Sequence, residues 1–186
     1  MSATAHTSIP SQPTPDQQSR RALDPPATAV TLLTHDLLAQ AQNSARSSRR
    51  SRVILPLHKS ASDPLQRMLN AVEPGTYIQP HRHLSPPKSE TIVVLSGAIC
   101  YVTFDEQGHV TLMLDLVAGS STFGIDIDAG IFHTFFPLES GTVIFEVKPG
   151  PYAAADDKDF ATWAPKEGSP DAVSYLETLS NLRKKP

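Results

Sequence analysis

Cysteine is nearly absent from this sequence: Cys100 is the single one in 186 residues. No intramolecular disulfide can form, and a reducing compartment fits. An excess of charge of one sign is also missing. A formal net charge of −3 and a pI near 6.1 give no global electrostatic reason to expect nucleic acid or an anionic membrane as partner. Long apolar runs are lacking too: no segment has the length of a membrane span, and the N-terminal stretch has no apolar core of a secretory signal. A cytoplasmic protein is the expectation. Large apolar side chains are scarce at the N-terminus, where Ser, Thr, Gln and Pro dominate. Such a segment cannot bury enough surface to offset its chain entropy, so residues 1–29 are expected to form a disordered tail.

What is present concentrates between Gly75 and Gly97. Successive side chains of a strand point to opposite faces, so the His81-Arg82-His83 spacing turns both imidazoles the same way. Residues 90–96 read as a strand, and Glu90 shares a face with Ile92 and Val94. A carboxylate among apolar neighbours is costly unless it is paired or binds a cation, and two convergent histidines favour the cation. Far along the chain, Gly124 to His133 forms a second glycine-punctuated strand and turn that delivers another histidine.

The two stretches resemble the paired motifs of the cupin superfamily. Gly75, His81, His83, Glu90 and Gly97 match the first, and Gly124, Gly130 and His133 match the second. The resemblance implies a metal held by His81, His83, Glu90 and His133 inside a small β-barrel. Three positions depart from the pattern: a six-residue spacer with Pro86-Pro87 before Glu90, Asp128 where proline is usual, and Pro137 where asparagine is usual. Further matches cover residues 66–71, 80–83, 86–90, 146–152, 157–160 and 163–165, and together they resemble the WbuC-type cupin-fold metalloproteins. That family is associated with bacterial surface-polysaccharide gene clusters.

Taken in order, the chain divides into the tail, an N-terminal helix and arm over residues 30–60, a barrel over 61–152, and a C-terminal strap and helix over 153–186. Leu32, Leu33, Leu37, Leu38 and Ala41 recur at helical spacing, and Thr34 offers an N-cap before His35-Asp36. The leucine face should dock on the barrel. Arg46, Arg49, Arg50 and Arg52 read first as a solvated helix end, with a phosphate site as the sharper alternative. Short strands with proline- and glycine-rich turns follow: 68–72, 76–79, 90–96, 98–104, 109–117 and 141–148. Strands 90–96 and 98–104 are expected to form a tight hairpin at Ser96-Gly97. The fold class is therefore mainly β, a cupin double-stranded β-helix or jelly-roll barrel, with short helices at both ends. Phe160 and Trp163 are read as ring anchors of the strap. Ser169-Pro170-Asp171 opens a C-terminal helix with Ala172, Tyr175, Leu176 and Leu179 on one face.

Three imidazoles and a carboxylate suit a divalent ion, with Fe(II) or Zn(II) ranked first and Mn(II), Ni(II) or Cu(II) compatible. The leading expectation is a metal-dependent enzyme acting on a sugar or nucleotide-sugar derivative, of isomerase or epimerase type, in surface-polysaccharide biosynthesis. The alternatives are an Fe(II)-dependent cupin dioxygenase and a non-catalytic, metal-stabilised cupin that binds a small ligand. Tyr101 and Glu146 are candidate acid or base groups, and alternation leaves their facing open. His58, Arg50 and Lys88 are candidate contacts to a small, anionic sugar derivative. The resemblance also permits a homodimer.

Overall fold

The computed structural model describes residues 20–155 and 157–184. Most of the segment read as a tail, residues 1–19, therefore lies outside the described residues. Its end does not behave as a tail: Ala22 bridges Ile54 in parallel, and Leu23 N–H donates to Ile54 O at 2.8 Å.

Among the described residues, ten strands form two five-stranded sheets. In chain order they are β1 (Arg52–Pro56), β2 (Leu65–Val72), β3 (His81–Arg82), β4 (Glu90–Ser96), β5 (Ala98–Phe104), β6 (Val110–Val117), β7 (Gly124–Ile127), β8 (Phe132–Pro137), β9 (Thr142–Pro149) and β10 (Asp159–Phe160). One sheet has the order β1-β2-β9-β4-β7 and the other β10-β3-β8-β5-β6, with every pairing antiparallel. Two sheets exchanging strands in this way make the expected jelly-roll barrel.

The expected hairpin of β4 and β5 is not formed, because the two strands belong to different sheets. Gly97, at φ +73°, is the corner where the chain crosses between them. A Cβ there would meet Thr142 Oγ1 at 2.4 Å, so glycine is required both for the backbone angle and for the close approach. Two further expectations change. Residues 76–79 are extended but join no ladder, and side chains serve their carbonyls instead: Arg52 donates to Tyr77 O at 2.8 Å and Thr134 Oγ1 to Ile78 O at 2.7 Å. Residues 52–56, within the segment read as an arm, form strand β1 and pair with β2 along its length.

Three apolar clusters organise the packing. Val72, Ile92, Val94, Ile99, Leu116 and Ile144 fill the barrel between the sheets. Fully burying such a side chain contributes about 1.5–3 kcal/mol. Helix α1 (His35–Ser47) covers the outside of the first sheet, with Ala41 and Ala45 against Val53, Leu55, Leu69 and Val143. Thr34 caps it as expected, accepting from Leu37 N at 3.3 Å, but Leu32 and Leu33 precede the helix and are exposed. Outside the second sheet, Cys100, Val102, Phe104, Phe132 and Phe136 lie under the strap and helix α2 (Asp171–Arg183). Pro170, not Ser169, stands at the α2 cap, with no side-chain cap bond. Trp163 anchors the strap as expected, its ring 5.0 Å from that of Phe104.

Cys100 belongs to that outer cluster and is fully buried. Burial, helped by the nearby Asp115 carboxylate, pushes its thiol up to about 12. Since only the thiolate is nucleophilic, alkylation of the folded protein at pH 8 should be slower than that of a free thiol by on the order of 10³-fold. A maleimide time course with and without urea checks this, and labelling at the free-thiol rate in the folded state would contradict it.

Candidate metal centre

The barrel brings His81, His83 and His133 together, with one ligating atom from each lying within 4.8 Å of the others. The cause is register. His81 on β3 is the direct partner of His133 on β8, and directly opposed residues of an antiparallel pair share a face. His83 follows β3 by one residue and completes the group, its ring 5.2 Å from that of His81. All three are almost wholly buried.

Each histidine has one nitrogen committed to the backbone. His81 Nδ1 bonds Gln79 O at 3.0 Å, His133 Nδ1 bonds Ile131 O at 2.9 Å, and His83 Nδ1 bonds Asp157 O. A carbonyl only accepts, so each Nδ1 carries the proton and each Nε2 presents a lone pair. Among the described residues the buried His83 Nε2 has no hydrogen-bond partner. Burial depresses His81 well below the usual histidine range, with nearby Lys158 and His133 adding to the effect. His83 is lowered to about 4, first by burial and then by the charge of Lys148. Three converging imidazoles, two of them kept neutral by burial, and one unsatisfied nitrogen form a donor set that can hold a divalent metal ion.

The facing sheet supplies carboxylates. Glu90 opens β4, and its Oε2 lies 3.1 Å from His133 Nε2 and 3.9 Å from His83 Nε2. Burial by itself would raise the Glu90 pKa. Contact with His133 and Glu146, together with the charge of Lys148, outweighs it and holds the carboxylate well below its usual range. Glu146 on β9 also faces inward, accepting from Asn70 Nδ2 and lying 3.4 Å from Lys148 Nζ. Burial and the adjacent Glu90 charge raise its carboxyl to about 8. Tyr101 faces inward as well. Its ring stacks on that of His133 at 5.8 Å, and its buried hydroxyl has no partner among the described residues.

The substrate-contact candidates divide. Lys88 is buried beside the centre: the spacer folds back, with Lys88 N–H donating to His83 O at 3.3 Å, and its Nζ reaches Pro151 O at 2.9 Å. Arg50 is engaged elsewhere, donating to both Glu167 oxygens at 2.7 and 3.0 Å, while Arg52 meets the same carboxylate at 2.6 Å. The arginine run therefore divides: Arg46, in the last turn of α1, and Arg49 are exposed as expected of a solvated helix end, whereas Arg52 opens β1 and with Arg50 ties it to the strap. His58 Nδ1 sits 2.9 Å from Arg67 O and 3.1 Å from Arg67 N, within the β1–β2 connection. Phe160, read only as an anchor, lies half-exposed with its ring 6.0 Å from that of His81. Its direct pairing with His81 could not be read from the sequence, because β10 has only two residues and no alternation to reveal it.

Two antiparallel sheets thus enclose three histidines from one and two glutamates from the other. The architecture is a jelly-roll barrel of two five-stranded sheets. A domain family of unknown function (DUF6016) matches residues 33–116. No curated protein matches the chain significantly. Among solved structures, the chain is similar to a conserved protein of unknown function from Streptococcus pyogenes. That likeness has a TM-score of 0.48 at 16% identity, over 71% of this chain and 96% of the other. A cupin-2 domain protein from Shewanella frigidimarina gives 0.39 at 20% identity, over 52% and 79% of the two chains. The L-ribose isomerase of Cellulomonas parahominis gives 0.46 at 17% identity, over 61% and 70%.

Proposed function

We propose that this protein is a metal-dependent enzyme acting on a sugar or nucleotide-sugar derivative by proton transfer, as an isomerase or epimerase does. The observation that carries the reading is the pairing of a three-histidine donor set with a buried carboxyl, Glu146, raised to about 8. Glu90 is proposed as the fourth ligand, its oxygen lying on the same side as the histidine Nε2 atoms. Fe(II) and Zn(II) are the favoured ions. A divalent ion held there supplies Lewis-acid polarisation of a carbonyl or hydroxyl.

The rest falls to the chain's own groups. Glu146 holds a proton near neutral pH and lies in a chain of contacts from Asn70 to Lys148, so it can give or take a proton without leaving its place. Tyr101 O–H is free to donate to a substrate oxygen. The surface-polysaccharide context rests on the resemblance of residues 66–71, 80–83, 86–90, 146–152, 157–160 and 163–165 to WbuC-type proteins.

The test is elemental analysis of protein purified without chelators or a metal-affinity tag, followed by a panel of aldoses, ketoses and nucleotide sugars in deuterium oxide. A stoichiometric metal, and product carrying solvent deuterium that disappears in Glu146→Gln, is the expected outcome. No turnover and no binding across the panel would overturn the enzymatic reading.

A further inference from the structure

The strap that crosses the barrel does more than cover the outer cluster. Its strand β10 pairs with β3, setting Asp159 against Arg82 and Phe160 against His81, so it is hydrogen-bonded to the strand that carries the first ligand candidate. The seam continues on both sides: Ala161 N–H donates to Pro80 O at 2.9 Å, Gln79 Nε2 to Ala161 O at 3.1 Å, and Arg82 Nε to Asp159 at 2.7 Å. Asp157, just before β10, is the point of closest engagement. Its carbonyl takes the Nδ1 proton of His83. Its carboxylate is held by two lysines, with Lys148 Nζ at 3.2 Å and Lys88 Nζ at 3.7 Å.

All three charged residues are buried, at 5% exposure for each lysine and 6% for Asp157. Burying such a network is no cheap way to fasten a strap, since apolar side chains of similar volume usually do as well or better. What it adds is position. Lys88 comes from the spacer between His83 and Glu90, and Lys148 from β9 beside Glu146, so the Asp157 carboxylate is located by the segment that leads into Glu90 and by the strand that carries Glu146. Located in that way, the Asp157 carbonyl fixes both the tautomer and the orientation of His83.

We infer that the C-terminal strap is a working part of the metal centre, and that Asp157 is a positioning residue through which ion binding and strap docking stabilise each other. The inference rests on the metal-binding reading above. Outer-shell partners of ligating histidines tune metal affinity by 10–100-fold. Coupling between two binding events is reciprocal, so the factor by which the docked strap raises ion affinity is the factor by which the ion favours docking.

The experiment uses the full chain with zinc as the probe, since zinc binds nitrogen-rich sites tightly whatever ion the cell supplies. Zinc affinity is measured by competition with a chromophoric chelator for the parent, Asp157→Ala, Asp157→Asn and Leu38→Ala. Amide exchange across residues 157–164 is followed with and without zinc. Asp157→Ala should bind zinc about 10–100-fold more weakly, and Asp157→Asn, which keeps the shape and one acceptor for Lys148, should lose less. Leu38→Ala loosens helix α1 on the opposite sheet, away from the strap, and should stay within about twofold of the parent. In the parent, zinc should slow exchange across 157–164, and in Asp157→Ala that slowing should shrink. Equal zinc affinity in parent and Asp157→Ala, or strap exchange indifferent to zinc, would overturn this inference alone. A parent that binds no zinc would overturn it together with the metal-binding reading.

Discussion

His81→Ala is expected to lose the bound metal and with it all turnover. The residue is buried, stands directly opposite His133, and has its ring 4.7 Å from that of His133, so no neighbouring donor can take its place. Outer-shell changes already cost 10–100-fold in metal affinity, so removal of a ligand should weaken binding by more than about 100-fold. The effect reaches stability too. At a free metal concentration of about 100 times Kd, binding stabilises the fold by about 2.7 kcal/mol, and the variant should forfeit most of this. Thermal unfolding with and without added metal, beside elemental analysis, reads both effects. His109→Ala is the control: that side chain is exposed on the β5–β6 turn, 2.9 Å from Asp105. Metal content unchanged in His81→Ala would remove the histidine cluster from consideration.

Tyr101→Phe should separate stability from activity. The Tyr101 hydroxyl is fully buried with no partner among the described residues, and burial, with the charges of Glu90 and Glu146, raises its pKa far above the ordinary phenol value. It therefore stays a neutral donor at any working pH. An unsatisfied buried polar group costs about 1–3 kcal/mol, so its removal in a shape-conserving exchange should make the metal-free protein more stable by about that amount. If the hydroxyl orients substrate or takes part in proton transfer, the same variant should lose about 10²-fold or more in turnover. Urea midpoints of chelator-treated protein and steady-state rates of the metal-loaded protein measure the two halves. A destabilised variant would mean that the hydroxyl has a partner in the folded state. Full activity would remove Tyr101 from the mechanism.

The histidine cluster was legible because its signals are local. His81 and His83 share a face through the period of two, Glu90 is in phase with Ile92 and Val94, and the glycines that bend the chain stand at fixed distances from them. The strands from Glu90 to Ser96 and from Ala98 to Phe104 were legible to the residue, since their apolar runs end sharply at turn residues. The link between them was not. A glycine joining two apolar strands is the same signal for a hairpin and for a corner between sheets, and the choice depends on partners far along the chain, at Val143 to Val147 for β4 and Phe132 to Pro137 for β5. Strand β1 was missed because its five residues follow a run of arginines, and the apolar alternation Val53, Leu55 is too brief to stand out.

Among polar residues the division is sharper. Lys88, Lys148 and Asp157 are ordinary surface residue types, and nothing within a few positions of any of them marks a buried network; only the fold, joining a spacer, a central strand and the strap, takes them out of water together. Arg50 and His58 carried as much local promise, yet Glu167 and the Arg67 backbone hold them elsewhere. The sequence by itself determined the longer strands, the two helices and which of their side chains share a face, because these follow from periodicities of a few residues and from the turn chemistry of glycine and proline. Which sheet each strand joins, which polar groups lose their water and which of them meet at one point were decided by tertiary structure alone, because burial and electrostatics depend on neighbours that only long-range pairing supplies.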